Sequence, residues 1–226
     1  MTTSEPDRMS RARQLSAESI AGGDPTGWFE RLYTEGEAGE SVVPWIQGTT
    51  NPVLADWAAG LSGAGKRALV VGCGTGEDAE FLAVLGFTVT AFDLAPTAIA
   101  TARRIHAGSA VTYEVADLLA LPGAWAGAFD LVFEAYTVQP LFGPVREGAL
   151  AALSGPVAPG GTLLVVAFAS EENSPERSSA MMPWPLTRAE VDLAGGDLRA
   201  VSVELLPSGD PPLPHLPHWR AEFHRG

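Results

Sequence analysis

The chain has 226 residues, 46% hydrophobic and 18% charged, and its 27 acidic against 14 basic side chains give a formal net charge of -13. A single cysteine excludes an internal disulfide and a cysteine-based zinc cluster, and His106, His215, His218 and His224 show no His-x-x-x-His or His-Glu-x-x-His spacing, so no metal is expected. An acidic chain with one lysine, Lys66, repels polyphosphate, and no window reaches the roughly 18–20 apolar residues of a membrane span, so neither nucleic acid nor a membrane is an expected partner.

Residues 1–23 are polar and lack aromatic side chains, which predicts a mobile N-terminal arm, with a short helix at its end as an option, and the absence of an apolar run there argues against a signal peptide and for the cytoplasm. Asp24-Pro25 reads as a helix start, with Trp28, Phe29, Leu32 and Tyr33 at helical spacing. Gly36 to Gly48 reads as a loop ending in Pro44-Trp45-Ile46-Gln47-Gly48, and Asn51-Pro52 starts a second helix that runs to about Leu61. From Arg67 onward short apolar runs (Ala68–Val71, Thr88–Phe92, Val111–Val115, Phe129–Phe133) alternate with helical stretches (Glu77–Leu85, Pro96–His106). That alternation predicts a mostly parallel sheet built by right-handed crossovers with helices on both faces.

Thr162–Phe168, entered through Pro159-Gly160-Gly161, is a further buried strand, and Thr187-Arg188-Ala189-Glu190 is a capping box that starts a short helix. Leu198–Leu206 and His218–His224 then read as an antiparallel terminal pair separated by a proline-rich loop, which brings the expected α/β sheet to seven strands. No internal repeat or linker divides residues 63–226.

The densest chemical signal is Val70-Val71-Gly72-Cys73-Gly74-Thr75-Gly76, a buried strand that runs through a glycine-rich turn into a helix. In open α/β sheets the ligand crevice lies at the carboxyl ends of the strands, and Gly72, Gly74 and Gly76 let the backbone approach a ligand closely. Asp93 ends the second strand, 17 residues beyond Gly76, where a carboxylate accepts hydrogen bonds from ribose hydroxyls or else caps the helix near Pro96. Asp117 follows the third strand, where it suits an exocyclic amine with Leu118 over a purine face, or a solvated turn. Glu134 ends the fourth strand, beside Tyr136, as a carboxylate able to favour a cationic ligand or simply as a strand end.

These residues resemble the first three motifs of the class I S-adenosylmethionine-dependent methyltransferases over about residues 67–170. The resemblance implies a Rossmann-like fold and S-adenosylmethionine as cofactor, with the glycine loop and Cys73 at its methionine half, Asp93 and Leu94 at the ribose, Asp117 and Leu118 at the adenine, and Glu134 nearby. A narrower likeness, carried by Tyr33, the Pro44–Gly48 loop and Trp184-Pro185-Leu186-Thr187, is to the thiopurine and halide methyltransferase branch. It implies that residues 24–62 form a lid over a domain spanning 63–226, with Tyr33 and Trp45 at the cofactor. Ile46 departs from that branch, many of whose members carry an acidic residue there, which argues against a halide substrate.

Methyl transfer from a sulfonium is an in-line displacement with a neutral leaving group, so alignment and exclusion of water matter most. A thiol, with a reference pKa of about 8.5, needs little help to ionise, which makes a small aromatic or apolar thiol the leading expected acceptor, with an alcohol, phenol or amine as alternatives. Glu134, Tyr136, His215 and His218 are the candidate bases. Trp28, Trp45, Tyr136, Met181, Met182 and Trp184 are the candidate lining of an acceptor pocket, although such residues equally suit a core. The competing readings are a cofactor-binding protein without catalysis and a nicotinamide oxidoreductase, the latter disfavoured because no Tyr-x-x-x-Lys pair exists. The chain is expected to act on a small molecule as a monomer.

Overall fold

The apolar runs at the centre of the sheet align as parallel strands covered on both faces. The computed structural model describes residues 8–170, 182–207 and 216–226. Its strands are β1 (Arg67–Val71), β2 (Thr88–Asp93), β3 (Thr112–Val115), β4 (Phe129–Ala135), β5 (Val157–Phe168), β6 (Arg199–Leu206) and β7 (His218–His224). They form one sheet in the order β3-β2-β1-β4-β5-β7-β6, parallel through β5 and antiparallel at β5-β7-β6, as the sequence leads one to expect. Leu69, Val71, Val132, Leu163 and Val165 fall in one core, and Ala68, Val70, Leu131, Phe133, Leu164 and Val166 in the other, which is the two-residue alternation of a sheet buried on both faces.

Helices α4 (Glu77–Val84), α5 (Pro96–Ile105), α6 (Gly143–Ala152) and α7 (Arg188–Gly195) flank the sheet, and α7 opens with the expected capping box between Thr187 and Glu190. Helix α6 was not apparent in the sequence, since Gly143, Pro144 and Gly148 mask its periodicity. Strand β5 begins at Val157 rather than Thr162, so Pro159-Gly160-Gly161 lies within it. Among the described residues no helix is long and apolar enough to cross a membrane.

The N-terminal region departs furthest from expectation. The helix allowed for at the end of the arm is α1 (Ser10–Ala21), which takes up most of the described part of the segment and is docked rather than mobile: Met9, Ala12 and Leu15 are buried in a third core with Trp28 and Leu32 of α2 (Trp28–Glu37). Three apolar side chains on one face, with an Arg11–Glu35 ion pair at 2.5 Å beside them, suffice to dock a helix whose composition is otherwise polar. Helix α2 starts at Trp28 rather than at Asp24, because Asp24 Oδ1 accepts from Gly27 N (2.9 Å) and closes a turn ahead of the helix. Helix α3 (Pro52–Trp57) is capped by Asn51 as expected but ends four residues short of Leu61.

Candidate active-site cleft

Strand registry sets the cleft: Val71 of β1 lies beside Phe92 of β2 and Glu134 of β4, and Asp93 beside Val115, so the carboxyl ends of four strands finish level. The glycine loop leaves β1 here. Gly72 and Gly74 line the cleft with φ of 60° and 53°, a region that costs residues with a Cβ, and a Cβ on Gly74 would come within 3.1 Å of the Tyr33 hydroxyl. Gly76 also has a positive φ but stands outside the lining. A Cβ there would meet the Tyr113 hydroxyl at 2.4 Å and its ring at 2.9 Å, so its role is to seat α4 against β3.

Asp93 is buried at the end of β2 and faces the cleft. Its Oδ2 accepts from Gly74 N (3.0 Å) and its Oδ1 from Ala95 N (2.9 Å), so one carboxylate braces the glycine loop and the start of α5 together. Burial pushes its pKa up to about 6, against the opposing effect of those backbone hydrogen bonds. Each oxygen retains acceptor capacity, so bracing the loop and holding a ribose are compatible. Leu94, Asp117 and Leu118 continue the same wall, where Asp117 accepts from Leu119 N (2.9 Å) and starts the 3-10 turn Leu118–Ala120.

The sequence reading missed Asp78. It faces the cleft from the first turn of α4, accepts from Asn51 N (2.7 Å), and is pushed up to about 6 by burial. Its place two residues after Gly76 is the one signal that could have marked it.

The aromatic side of the cleft partly matches expectation. Trp45 Nε1 donates to the buried Tyr33 hydroxyl (2.8 Å), and both residues line the cleft near Gly74. Burial holds the Tyr33 phenol well above its ordinary range, so it stays protonated. Tyr136 lines the opposite wall, stacks on Phe168 with ring centroids 4.9 Å apart, and has φ of 59°, a left-handed conformation rare for an aromatic residue. Met182 and Cys73 also line the cleft.

Besides Gly76, four of the expected site residues among those described lie elsewhere. Trp28 is fully buried in the third core, packed on Phe29 at 4.0 Å, and Trp184 is buried against Phe142 at 5.4 Å, so neither lines the cleft. Large apolar side chains fill whichever interior is nearest, and these two helped to form the N-terminal core. Glu134 is entirely buried behind the wall: its Oε1 accepts from Thr137 N (2.7 Å) and Val138 N (3.1 Å), which fixes the turn that presents Tyr136. Burial pushes its pKa up to about 7. His218 stands behind Tyr136, with ring centroids 5.9 Å apart, and does not line the cleft, while Met181 and His215 lie outside the described residues. No cluster among the described residues has the donors to hold a metal ion.

The cleft is open to solvent at its mouth and has a cavity volume of about 250 Å³. Residues 68–161 match the family described as a methyltransferase domain. A ubiquinone biosynthesis O-methyltransferase from Xanthomonas axonopodis pv. citri (strain 306) is 44% identical over 85 residues, 36% of this chain and 36% of that protein. This chain therefore spans about a third of the length of that relative. The N-methyltransferase NodS from Bradyrhizobium japonicum WM9, in complex with S-adenosyl-L-homocysteine, aligns at a TM-score of 0.63 with 19% identity, covering 95% of this chain and 98% of that one. A structure described as "Conversion of a Disulfide Bond into a Thioacetal Group during Echinomycin Biosynthesis" aligns at 0.67 with 24% identity, covering 87% and 91%. These structural likenesses establish the fold. The narrower resemblance to the thiopurine and halide branch gains no support from relatives that carry O-methyltransferase names.

Proposed function

We propose that this chain, whose residues 68–161 match a methyltransferase-domain family, is a class I S-adenosylmethionine-dependent methyltransferase that transfers a methyl group to a small, largely apolar acceptor. The observation that carries this reading is Asp93, a carboxylate at the carboxyl end of β2 that faces the cleft and is tied to Gly74 N at 3.0 Å. It joins the cradle for the methionine half to the acceptor for the ribose hydroxyls, and the residues present fit the cofactor. Gly72 and Gly74 leave the loop open for close approach, Asp93 takes the ribose, and Asp117 with Leu118 takes the adenine.

When bound, S-adenosylmethionine supplies an electrophilic methyl carbon whose leaving group is a neutral thioether. The chain's own residues align the partners and exclude water. Tyr33 and Trp45, joined by their hydrogen bond and carried on α2 and the loop after it, cover the glycine loop as a lid. Tyr136, Phe168 and Met182 form the apolar wall against which an acceptor rests. Sulfur, the acceptor atom favoured by the sequence, has no support from the curated relatives named as O-methyltransferases.

The test is calorimetric titration with S-adenosylmethionine and with S-adenosylhomocysteine. Saturable binding of both is expected, with formation of S-adenosylhomocysteine in the presence of a small aromatic acceptor. Binding of reduced nicotinamide dinucleotide in place of either would overturn the reading, and tight cofactor binding without turnover across thiols, phenols and amines would leave only a binding protein.

A further inference from the structure

Resting on that reading, the charge of the cleft constrains the atom that can receive the methyl group. Four carboxylates, those of Glu77, Asp78, Asp93 and Asp117, line the cleft, and no Lys, Arg or His does so among the described residues. The basic side chains that contact its lining residues do so through backbone carbonyls. Arg13 Nε donates to the Met182 carbonyl (2.9 Å), His106 contacts the Thr75 carbonyl (3.0 Å), and the buried Arg146 donates to the Gln139 carbonyl (2.8 Å) while paired with Glu190 at 2.7 Å. The residues outside the described set do not reverse the balance: 1–7, 171–181 and 208–215 contain six Asp and Glu against one Arg, with one His.

Among the described residues the wall assigned to the acceptor also lacks a base. Its polar side chains are Tyr136, Thr137 and Gln139, and Gln139 Oε1 already accepts from Phe168 N (3.0 Å). Glu134, the nearest carboxylate in sequence, is sealed behind Thr137 and Val138. An alcohol or phenol entering protonated therefore meets no described side chain suited to deprotonate it. A thiolate, phenolate or carboxylate entering ionised meets four carboxylates that the single net positive charge of S-adenosylmethionine does not offset, in a site of reduced dielectric.

We propose that the acceptor atom is a nitrogen that is uncharged when it attacks, in an aromatic amine or a nitrogen heteroaromatic, and that anionic nucleophiles are excluded. The nitrogen gives its lone pair to the methyl carbon while the carbon–sulfur bond breaks and its electrons remain on sulfur. The positive charge thus passes from sulfur to nitrogen. A heteroaromatic nitrogen keeps that charge as a quaternary cation, and an aromatic amine returns to neutral by releasing its proton to water. The carboxylates keep that positive charge in a negative surrounding on sulfur before transfer and on nitrogen after it, and the transfer itself needs no base.

Two measurements on the full chain test this. In the first, the protein saturated with S-adenosylhomocysteine is titrated with the cation N-methylisoquinolinium and with the anion 2-naphthoate, which are matched in size. The cation is expected to bind at least about tenfold more tightly, equivalent to about 1.4 kcal/mol, and equal or tighter binding of naphthoate overturns the proposal. In the second, isoquinoline, 2-naphthylamine, 2-naphthol and 2-naphthalenethiol are offered with S-adenosylmethionine. Faster methylation of the nitrogen compounds supports the proposal, and faster methylation of the naphthol or thiol, rising with pH through that acceptor's own pKa, refutes it. Failure of S-adenosylhomocysteine to bind at all would refute the cofactor reading instead, and this proposal with it.

Discussion

Replacing Glu134 by Gln separates a structural carboxylate from a catalytic one. Glu134 is fully buried, its Oε1 holds the amides of Thr137 and Val138, and its Oε2 is buried without a hydrogen-bond partner. Burial raises its pKa from 4.5 to about 7 in the folded chain, although the two amides and Arg146 oppose the shift. An acid whose folded pKa is raised adds stability that is fully present below its unfolded pKa and is lost as pH rises through the folded one. At about 1.36 kcal/mol per pH unit the whole effect is roughly 3 kcal/mol, of which about 2.5 kcal/mol disappears between pH 5 and pH 8. Glutamine keeps an oxygen for the two amides and does not ionise, so Glu134→Gln gains on the wild type by that amount across the same interval. Denaturant unfolding of both proteins at pH 5, 6.5 and 8 measures it. Parallel pH profiles would refute the linkage, and loss of turnover at unchanged cofactor affinity and stability would show that Glu134 acts in the chemistry after all.

Asp93→Ala removes the proposed ribose acceptor and should weaken S-adenosylhomocysteine binding by about 1.5–3 kcal/mol, read by calorimetry on a variant whose circular dichroism is unchanged. Gly76→Ala should cost about 1–3 kcal/mol of unfolding free energy, because its Cβ would overlap Tyr113 at a φ of 99°, yet leave cofactor affinity nearly intact since Gly76 does not line the cleft. Arg146→Met should destabilise by about 3–5 kcal/mol, because the buried guanidinium serves the carbonyls of Gln139 and Trp184 as well as Glu190. Arg146→Lys should rescue little of this, since an ammonium cannot match the planar fork.

The extent to which the sequence revealed this protein depended on whether a local pattern had only one structural use. Glycines at every second position between a buried strand and a helix, followed by an acid at the end of the next strand, form such a pattern, and Gly72, Gly74 and Asp93 all line the cleft. Trp28 and Trp184 carried no comparable constraint. A tryptophan fills a core or a pocket equally well, and only the docking of α1, itself dependent on a few apolar side chains in a polar segment, decided that these two would be interior. Arg146 was illegible for a related reason: an arginine in a glycine-interrupted stretch looks exposed until the loops carrying Gln139 and Trp184 converge on it from distant parts of the chain.

Glu134 shows how a correct placement can still carry the wrong role. Its position near the end of β4, level with Phe92 and one residue short of Asp93 on β2, follows from strand registry, and that offset turns the two carboxylates to opposite faces of the sheet. The backbone immediately afterwards separates them further. After Asp93 the chain continues into α5, and the carboxylate stays at the cleft wall while bracing Gly74 and Ala95. After Glu134 the chain turns through a left-handed Tyr136, whose N–H reaches back to the Val166 carbonyl (3.0 Å), and the amides of Thr137 and Val138 fold over the carboxylate and seal it in. The same turn stacks the tyrosine ring on Phe168 at the cleft wall. Among the described residues that wall is thus aromatic while the neighbouring acid is held by backbone amides. A wall that offers alignment and an apolar surface suits the proposed displacement, whose leaving group departs neutral.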